Sequence, residues 1–168
     1  MLLARRNPYV SAETALFSDL VKAGEEESHT FLPMDLRAYL VRCLNDYLVD
    51  PDIVQQVLAI DFLELRNTTG AVRVTALKRS GDASLILAGL FPKRARRLNV
   101  SDTYFRTMGQ SLYGSLAAHL AAGATYNQGQ FYNRVAREFE SLERVLYHSR
   151  GKAEDEWDAF KRLCTKLC

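Results

Sequence analysis

The sequence lacks the features of membrane and fibrous proteins. Its longest clean apolar run covers residues 85–91, far short of the roughly 18 residues that a membrane-spanning helix needs. With only nine glycines and four prolines in 168 residues, the composition excludes collagen-like and low-complexity chains. We therefore expect one ordinary globular domain over residues 1–168, with no membrane partner.

The chain also lacks the signs of export. It has three cysteines, an odd number in a chain large enough to fold around an apolar core, which predicts reduced thiols rather than a disulfide scaffold. Arg5 and Arg6 follow the first apolar residues, whereas a signal peptide carries its positive charges before them. These features predict a cytoplasmic protein.

The overall charge is small, but its distribution is uneven. The net charge is +2, yet residues 1–65 carry five basic against eleven acidic side chains, and residues 66–106 carry nine against two. The middle third of the chain is therefore basic, and its densest part is residues 93–97.

Apolar residues recur every three or four positions over most of the chain, which predicts helices. We expect a first helix over residues 11–23, ended by Gly24 and followed by a solvated acidic loop at residues 25–27. A second helix is predicted over residues 33–49, and a third over residues 51–65, each with a proline in its first turn.

Residues 71–91 contain conflicting signals. Val72 and Val74 favour a strand, and Gly81 weakens a helix. A lone strand would have no partner elsewhere in the chain, however, and the apolar end of the segment is stopped by Pro92, as a buried helix would be. We predict a helix at the centre of the core.

The second half of the chain continues the helical pattern. A helix is predicted over residues 101–122 with Ser101 as its cap, followed by helices over residues 130–149 and 153–167. The first of these carries a stripe of small residues that we expect to admit a closely packed neighbour. That stripe consists of Ser111, Ser115, Ala118 and Ala122.

The predicted fold class is therefore all-α. We expect a single-domain antiparallel bundle of about six to seven helices, with the terminal helix at residues 153–167 as its peripheral element.

Three strings resemble those of a family of small bacterial proteins of uncharacterised function. They are NPYVS at residues 7–11, LAGLFP at residues 87–92 and NVSDTYF at residues 99–105. The resemblance spans about residues 5–145 and implies a bacterial, helical, cytoplasmic domain. The family supplies no catalytic residue, cofactor or substrate that could be transferred to this chain.

The sequence contains no motif of a known reaction. His29, His119 and His148 lack the paired spacing of metal ligands. Phosphate-binding loops and nucleophile elbows are absent from the sequence, and Cys43 lies in an apolar stripe that favours an inert, buried thiol. We predict no catalytic residue, no metal and no cofactor, which favours a protein that is not an enzyme.

One dense cationic segment is a candidate binding site for an anionic partner. It comprises Lys93, Arg94, Arg96 and Arg97, with Arg106 nearby. Such cations bind the phosphates of nucleic acids. Such cations also have purely structural roles, either as solvated charges at a helix junction or opposite an acidic part of the same chain. A structural role of one of these two kinds is favoured here over nucleic-acid binding.

A group of tyrosines is a second candidate site, for a small molecule between the fifth and sixth predicted helices. The candidate residues are Tyr104, Tyr113, Tyr126 and Tyr132. The alternative interpretation is an aromatic core.

The function that the sequence favours is a non-enzymatic bacterial cytoplasmic binding or accessory protein that acts through protein–protein contacts, with a partner or a second copy. Nucleic-acid binding through residues 93–97 is the first alternative. A small-molecule binder or an enzyme with a pocket between the fifth and sixth helices is the second.

Overall fold

A computed structural model describes residues 12–50 and 69–150, except the side chains of residue 12 and of residues 94–96. In chain order its helices are α1 (Ala12–Ser28), α2 (Met34–Val49), α3 (Gly70–Leu90), α4 (Pro92–Arg97), α5 (Tyr104–His119), α6 (Tyr126–Arg137) and α7 (Phe139–Ser149), with a 3-10 turn at Gly123–Thr125. No strand occurs in these two ranges, and the predicted all-α bundle is confirmed. The helices predicted over 51–65 and 153–167 lie outside the described residues.

Helix α3 is the centre of the bundle and packs against α2, α5 and α7. Every residue from 80 to 90 is buried, so the helix has no solvent-facing side over this length. A helix that is apolar on all sides is typical of a protein core. The prediction of a central helix over residues 71–91 is therefore confirmed, and Gly81 lies within it without ending it.

Helix α1 is longer than predicted. It passes through Gly24 to Ser28, because glycine at this position lets α7 approach: a Cβ atom on Gly24 would lie 2.3 Å from the carbonyl oxygen of Val145. The predicted loop at residues 25–27 is therefore wrong. Glu25 is buried, accepts the Leu32 N–H at 2.7 Å and pairs with Arg37 at 2.9 Å.

The helix predicted over 101–122 is shorter in the structure. It begins at Tyr104, and the carbonyl of Ser101 accepts the Tyr104 N–H in the turn before it. The small-residue stripe was predicted to face a neighbouring helix. That prediction is wrong, because all four of its residues are exposed to solvent. The close approach occurs instead at Gly109, where a Cβ atom would lie 2.3 Å from the Phe139 ring.

The helix predicted over 130–149 is two helices. The backbone breaks at Glu138, with φ −92° and ψ 12°, between α6 and α7. Helix α6 also begins earlier, at Tyr126, in residues that we expected to form a link. The apolar periodicity predicts a buried stripe of Phe131, Val135, Phe139, Leu142, Val145 and Leu146; all but Phe131, which is partly buried, are buried in the structure.

Candidate functional site

The structure describes three of the five predicted cationic side chains, those of Lys93, Arg97 and Arg106. Lys93 and Arg97 are exposed on the short helix α4, and the side chains of Arg94 and Arg96 lie outside the description. Arg106, on α5, donates two hydrogen bonds to Glu143 on α7, at 2.6 and 3.0 Å. A bidentate salt bridge of this kind is strong, so Arg106 stabilises the contact between α5 and α7.

The structure brings two of the four predicted tyrosines together. Tyr113 is buried and stacks on Tyr132, with ring centroids 6.2 Å apart and 12° between the ring planes. Tyr104 and Tyr126 are 43 % and 52 % exposed. Helices α5 and α6 touch closely at Gly129, where a Cβ atom would meet the Ala117 carbonyl at 3.0 Å.

The two stacked tyrosines border a charged cluster that the sequence analysis did not identify. At its centre is Asp82, on α3, which is only 6 % exposed. Its Oδ1 atom accepts hydrogen bonds from the hydroxyls of Tyr113, at 2.6 Å, and Tyr39. Its Oδ2 atom accepts one from the Lys78 ammonium at 2.6 Å. The cluster thereby joins α2, α3 and α5.

The local sequence of α3 explains how this cluster forms. Lys78 and Asp82 are four residues apart, so their side chains lie on one face of the helix. Gly81 leaves room beside them for an aromatic ring, because a Cβ atom there would lie 2.8 Å from Tyr113. The ring can therefore pack closely against the helix and direct its hydroxyl to the Asp82 carboxylate.

Burial determines the protonation of the cluster. It raises the pKa of Tyr39 and Tyr113 well above the usual value, and Asp82 raises both further. Burial by itself lowers the pKa of Lys78, but the charge and hydrogen bond of Asp82 outweigh it and the net shift is upward. At neutral pH both phenols are therefore proton donors and Lys78 is an ammonium.

Cys43 lies beside the cluster as a neutral thiol. Burial raises its pKa well above the usual value, and the Asp82 charge raises it further, while Lys78 acts in the opposite direction. Its side chain is 2 % exposed. Because the thiolate is the reactive form, the predicted inert role of Cys43 agrees with its surroundings.

The charged cluster opens into a cavity of about 240 Å³ between α2 and α3. The wall from α2 carries two acids, Asp46 and Asp50, and the wall from α3 carries Lys78 and Arg79. Arg79 pairs with Asp50 at 2.8 Å, whereas Lys78 lies 3.9 Å from Asp46. The lining comprises Cys43, Asp46, Tyr47, Val49, Asp50, Lys78, Arg79, Asp82, Ala83 and Ile86.

Within residues 12–50 and 69–150, no three His, Cys, Asp or Glu side chains converge as metal ligands. His29 and His119 are exposed on different elements, and His148 is half-buried on α7. The same two ranges contain no helix with the length and hydropathy of a membrane span.

One sequence signal could have located the cluster. Lys78 and Asp82 are a helical pair at the start of the most apolar stretch of the chain, and a charged pair on a central helix must be buried or line a cavity. Tyr39 and Tyr113 carry no such signal, because they are 43 and 31 residues away from Asp82.

A scan against protein-family models, a search of curated proteins and a search of solved structures each found no match to this chain.

Proposed function

We propose that this protein is a non-enzymatic bacterial cytoplasmic binding protein, and that a small molecule occupies the cavity between α2 and α3. The observation that supports this proposal is the convergence of a buried carboxylate, an ammonium and an open cavity. Ligand sites are typically concave, with apolar walls and a few placed polar groups. Charged groups with perturbed pKa values are also concentrated at such sites.

The protonation of the cluster favours binding over catalysis. Tyr39, Tyr113 and Lys78 hold their protons, and the hydroxyls of Tyr39 and Tyr113 both donate to Asp82. A general base or a nucleophile needs a pKa near the working pH or a deprotonated form. The cluster instead presents fixed charges, which orient a ligand.

The dimensions of the cavity favour a small ligand. Its volume of about 240 Å³ lies below the roughly 300–1,000 Å³ of sites for drug-sized molecules. Tyr47, Val49, Ala83 and Ile86 form its apolar walls, so the ligand combines a polar end with a short apolar part.

A thermal-shift screen tests the proposal. The purified chain is heated with a panel of free amino acids, small carboxylates, small amines and nucleobases. A ligand present at a hundred times its Kd raises the free energy of unfolding by about 2.7 kcal/mol, or the Tm by roughly 5–10 °C. We expect at least one class of compound to produce such a shift.

Two tryptophan variants show whether the ligand lies in this cavity. Val49 lines the cavity and is 86 % exposed, whereas Val72 is 67 % exposed and lies outside the lining. We expect Val49→Trp to cover the opening and abolish the shift, and Val72→Trp to retain it. No shift with any compound, or an equal shift in both variants, would refute the proposal.

A second candidate function is a protein–protein contact, and a specific surface favours it. Met34 is 82 % exposed and lines an open groove of about 560 Å³ between α1 and α2, and Phe31, three residues earlier in the chain, is 70 % exposed. Exposed apolar side chains at a groove mark contact sites. The groove carries Asp19 on α1 and Arg42 on α2, so two copies related by a twofold axis can exchange ion pairs across it.

Light scattering over about a hundredfold range of concentration tests this contact, because a dimer dissociates on dilution. We expect a dimer that Met34→Glu abolishes and that Val72→Glu, a matched change on α3, leaves intact. A monomer at every concentration would eliminate this candidate.

A further inference from the structure

The charges around the α2–α3 cavity are arranged by helix. Asp46 lies in the last turn of α2, and Asp50 directly follows the helix, where its N–H donates to the Asp46 carbonyl at 3.0 Å. Lys78 and Arg79 are adjacent on α3, and all four side chains line the cavity. A ligand between the two helices therefore meets carboxylates on the α2 side and cations on the α3 side, where the third carboxylate of the lining, Asp82, already accepts hydrogen bonds from Lys78, Tyr39 and Tyr113.

Not all of these ion pairs are equally able to open for a ligand. Arg79 and Asp50 are 46 % and 42 % exposed, and an exposed pair contributes only about 0–1 kcal/mol. Lys78 and Asp82 are 25 % and 8 % exposed, and breaking such a pair leaves a desolvated charge without a partner. A ligand can therefore replace the outer pair while the inner pair stays closed.

The inner pair still has a free direction toward the cavity. The Lys78 ammonium has three N–H donors, and Asp82 accepts one of them at 2.6 Å, while Asp46 is 3.9 Å away, beyond hydrogen-bond distance. Lys78 and Arg79 both line the cavity, so an anionic group of a ligand there can pair with them. A cationic group a few ångströms away then faces Asp46 and Asp50.

We propose that the cavity binds a small zwitterion, a free aliphatic α-amino acid, with its carboxylate toward Lys78 and Arg79 and its ammonium toward Asp46 and Asp50. This inference rests on the proposed function. The outer pair, Arg79 and Asp50, is closed at 2.8 Å, so the ligand separates it: the ligand carboxylate becomes the partner of Arg79, and its ammonium, one carbon atom away, becomes the partner of Asp50. Tyr47, Val49 and Ile86 surround its apolar side chain.

Calorimetric titration with three related compounds tests the ligand class. L-Leucine carries both charges, isocaproate lacks the ammonium, and isoamylamine lacks the carboxylate. We expect L-leucine to bind and each of the other two to bind at least about tenfold more weakly, which corresponds to one lost charge-assisted hydrogen bond.

Two charge variants assign the ends of the ligand. Arg79→Gln is expected to weaken L-leucine by about tenfold and to leave isoamylamine unchanged or tighter, because Asp50 loses its competing partner. Asp50→Asn is expected to weaken L-leucine similarly and to leave isocaproate unchanged or tighter. Arg144→Gln and Glu27→Gln remove the same charges from exposed positions outside the lining and are expected to change nothing.

The outcomes separate this inference from the proposed function. If L-leucine and the other aliphatic amino acids fail to bind while another class shifts the Tm of the wild type but not of Val49→Trp, the ligand class is overturned and the cavity remains a binding site. If isocaproate or isoamylamine binds as tightly as L-leucine, the zwitterion is also overturned. If no compound binds, both proposals fail.

Discussion

Replacing Asp82 with asparagine isolates the contribution of the buried charge. Asparagine has the same shape, so the hydroxyls of Tyr39 and Tyr113 keep an acceptor. Its amide NH₂ group then faces the Lys78 ammonium, where Oδ2 accepted a hydrogen bond at 2.6 Å. The variant loses one charge-assisted hydrogen bond, worth about 1.5–3 kcal/mol, and places two donors against each other.

The expected loss follows from the exposure of the two partners. Removing one member of a fully buried ion pair costs about 3–5 kcal/mol, but the Lys78 side chain is 25 % exposed and water can solvate part of its charge. We therefore expect Asp82→Asn to lower the free energy of unfolding by about 2–4 kcal/mol. For a domain of this size, that change lowers the Tm by roughly 4–16 °C.

Urea unfolding followed by far-ultraviolet circular dichroism measures this loss. The double variant Lys78→Met with Asp82→Asn removes the opposed ammonium, and we expect it to recover at least half of the lost free energy. Asp50→Asn, which breaks the exposed pair with Arg79, is expected to cost no more than about 1 kcal/mol. An Asp82→Asn variant no less stable than Asp50→Asn would refute the structural role of the cluster.

Three further results are expected. Gly24→Ala should cost about 1–3 kcal/mol because its Cβ meets a backbone carbonyl of α7, whereas Gly114→Ala, with open space around it, should gain roughly 0.5–1 kcal/mol of helix stability; urea unfolding of the pair tests both signs, and equal effects would contradict the packing. With the cysteines at 164 and 168 replaced by serine, Cys43 should react with a thiol reagent at neutral pH far more slowly than a free cysteine does, because burial raises its pKa and leaves little thiolate; labelling of the native chain as fast as that of free cysteine would contradict this protonation state. Because burial raises the pKa values of Tyr39 and Tyr113, the unfolded chain loses these protons first, and the free energy of unfolding should fall above about pH 10 by roughly 1.4 kcal/mol per pH unit for each tyrosine; a flat profile from about pH 9 to about pH 11 would contradict their burial.

The helix boundaries show which helix ends the local sequence pattern predicts and which it does not. The periodicity of apolar residues predicts α2 within a residue or two of its observed bounds, because its Pro33 start and its amphipathic stripe are both local signals. It fails at Gly24, whose usual role is to end a helix. There the close packing of α7 against Gly24 determines that the backbone stays helical, and the residues around Gly24 carry no signal of that packing.

The binding-site predictions show the same division. Sequence proximity groups Tyr104, Tyr113, Tyr126 and Tyr132 as one candidate site. The structure brings Tyr113 and Tyr132 into contact, whereas the helix directions place Tyr104 and Tyr126 at the surface. Arg106 was grouped with the cations of residues 93–97 because it is near them in the chain. Its partner Glu143 is 37 residues further on, so only the packing of α7 against α5 shows that Arg106 is occupied.

The sequence by itself determined that the chain is helical and that the segment ending at Pro92 contributes a central helix to the core, because apolar periodicity and the burial of apolar surface are properties of a continuous segment. Only the tertiary structure decided which polar groups meet. The role of Asp82 depends on its hydrogen bonds from Tyr39 and Tyr113, which lie on two other helices, and on the cavity between α2 and α3 beside it. A hydrogen bond or a cavity depends on the relative placement of helices to within an ångström, which no spacing along one helix specifies.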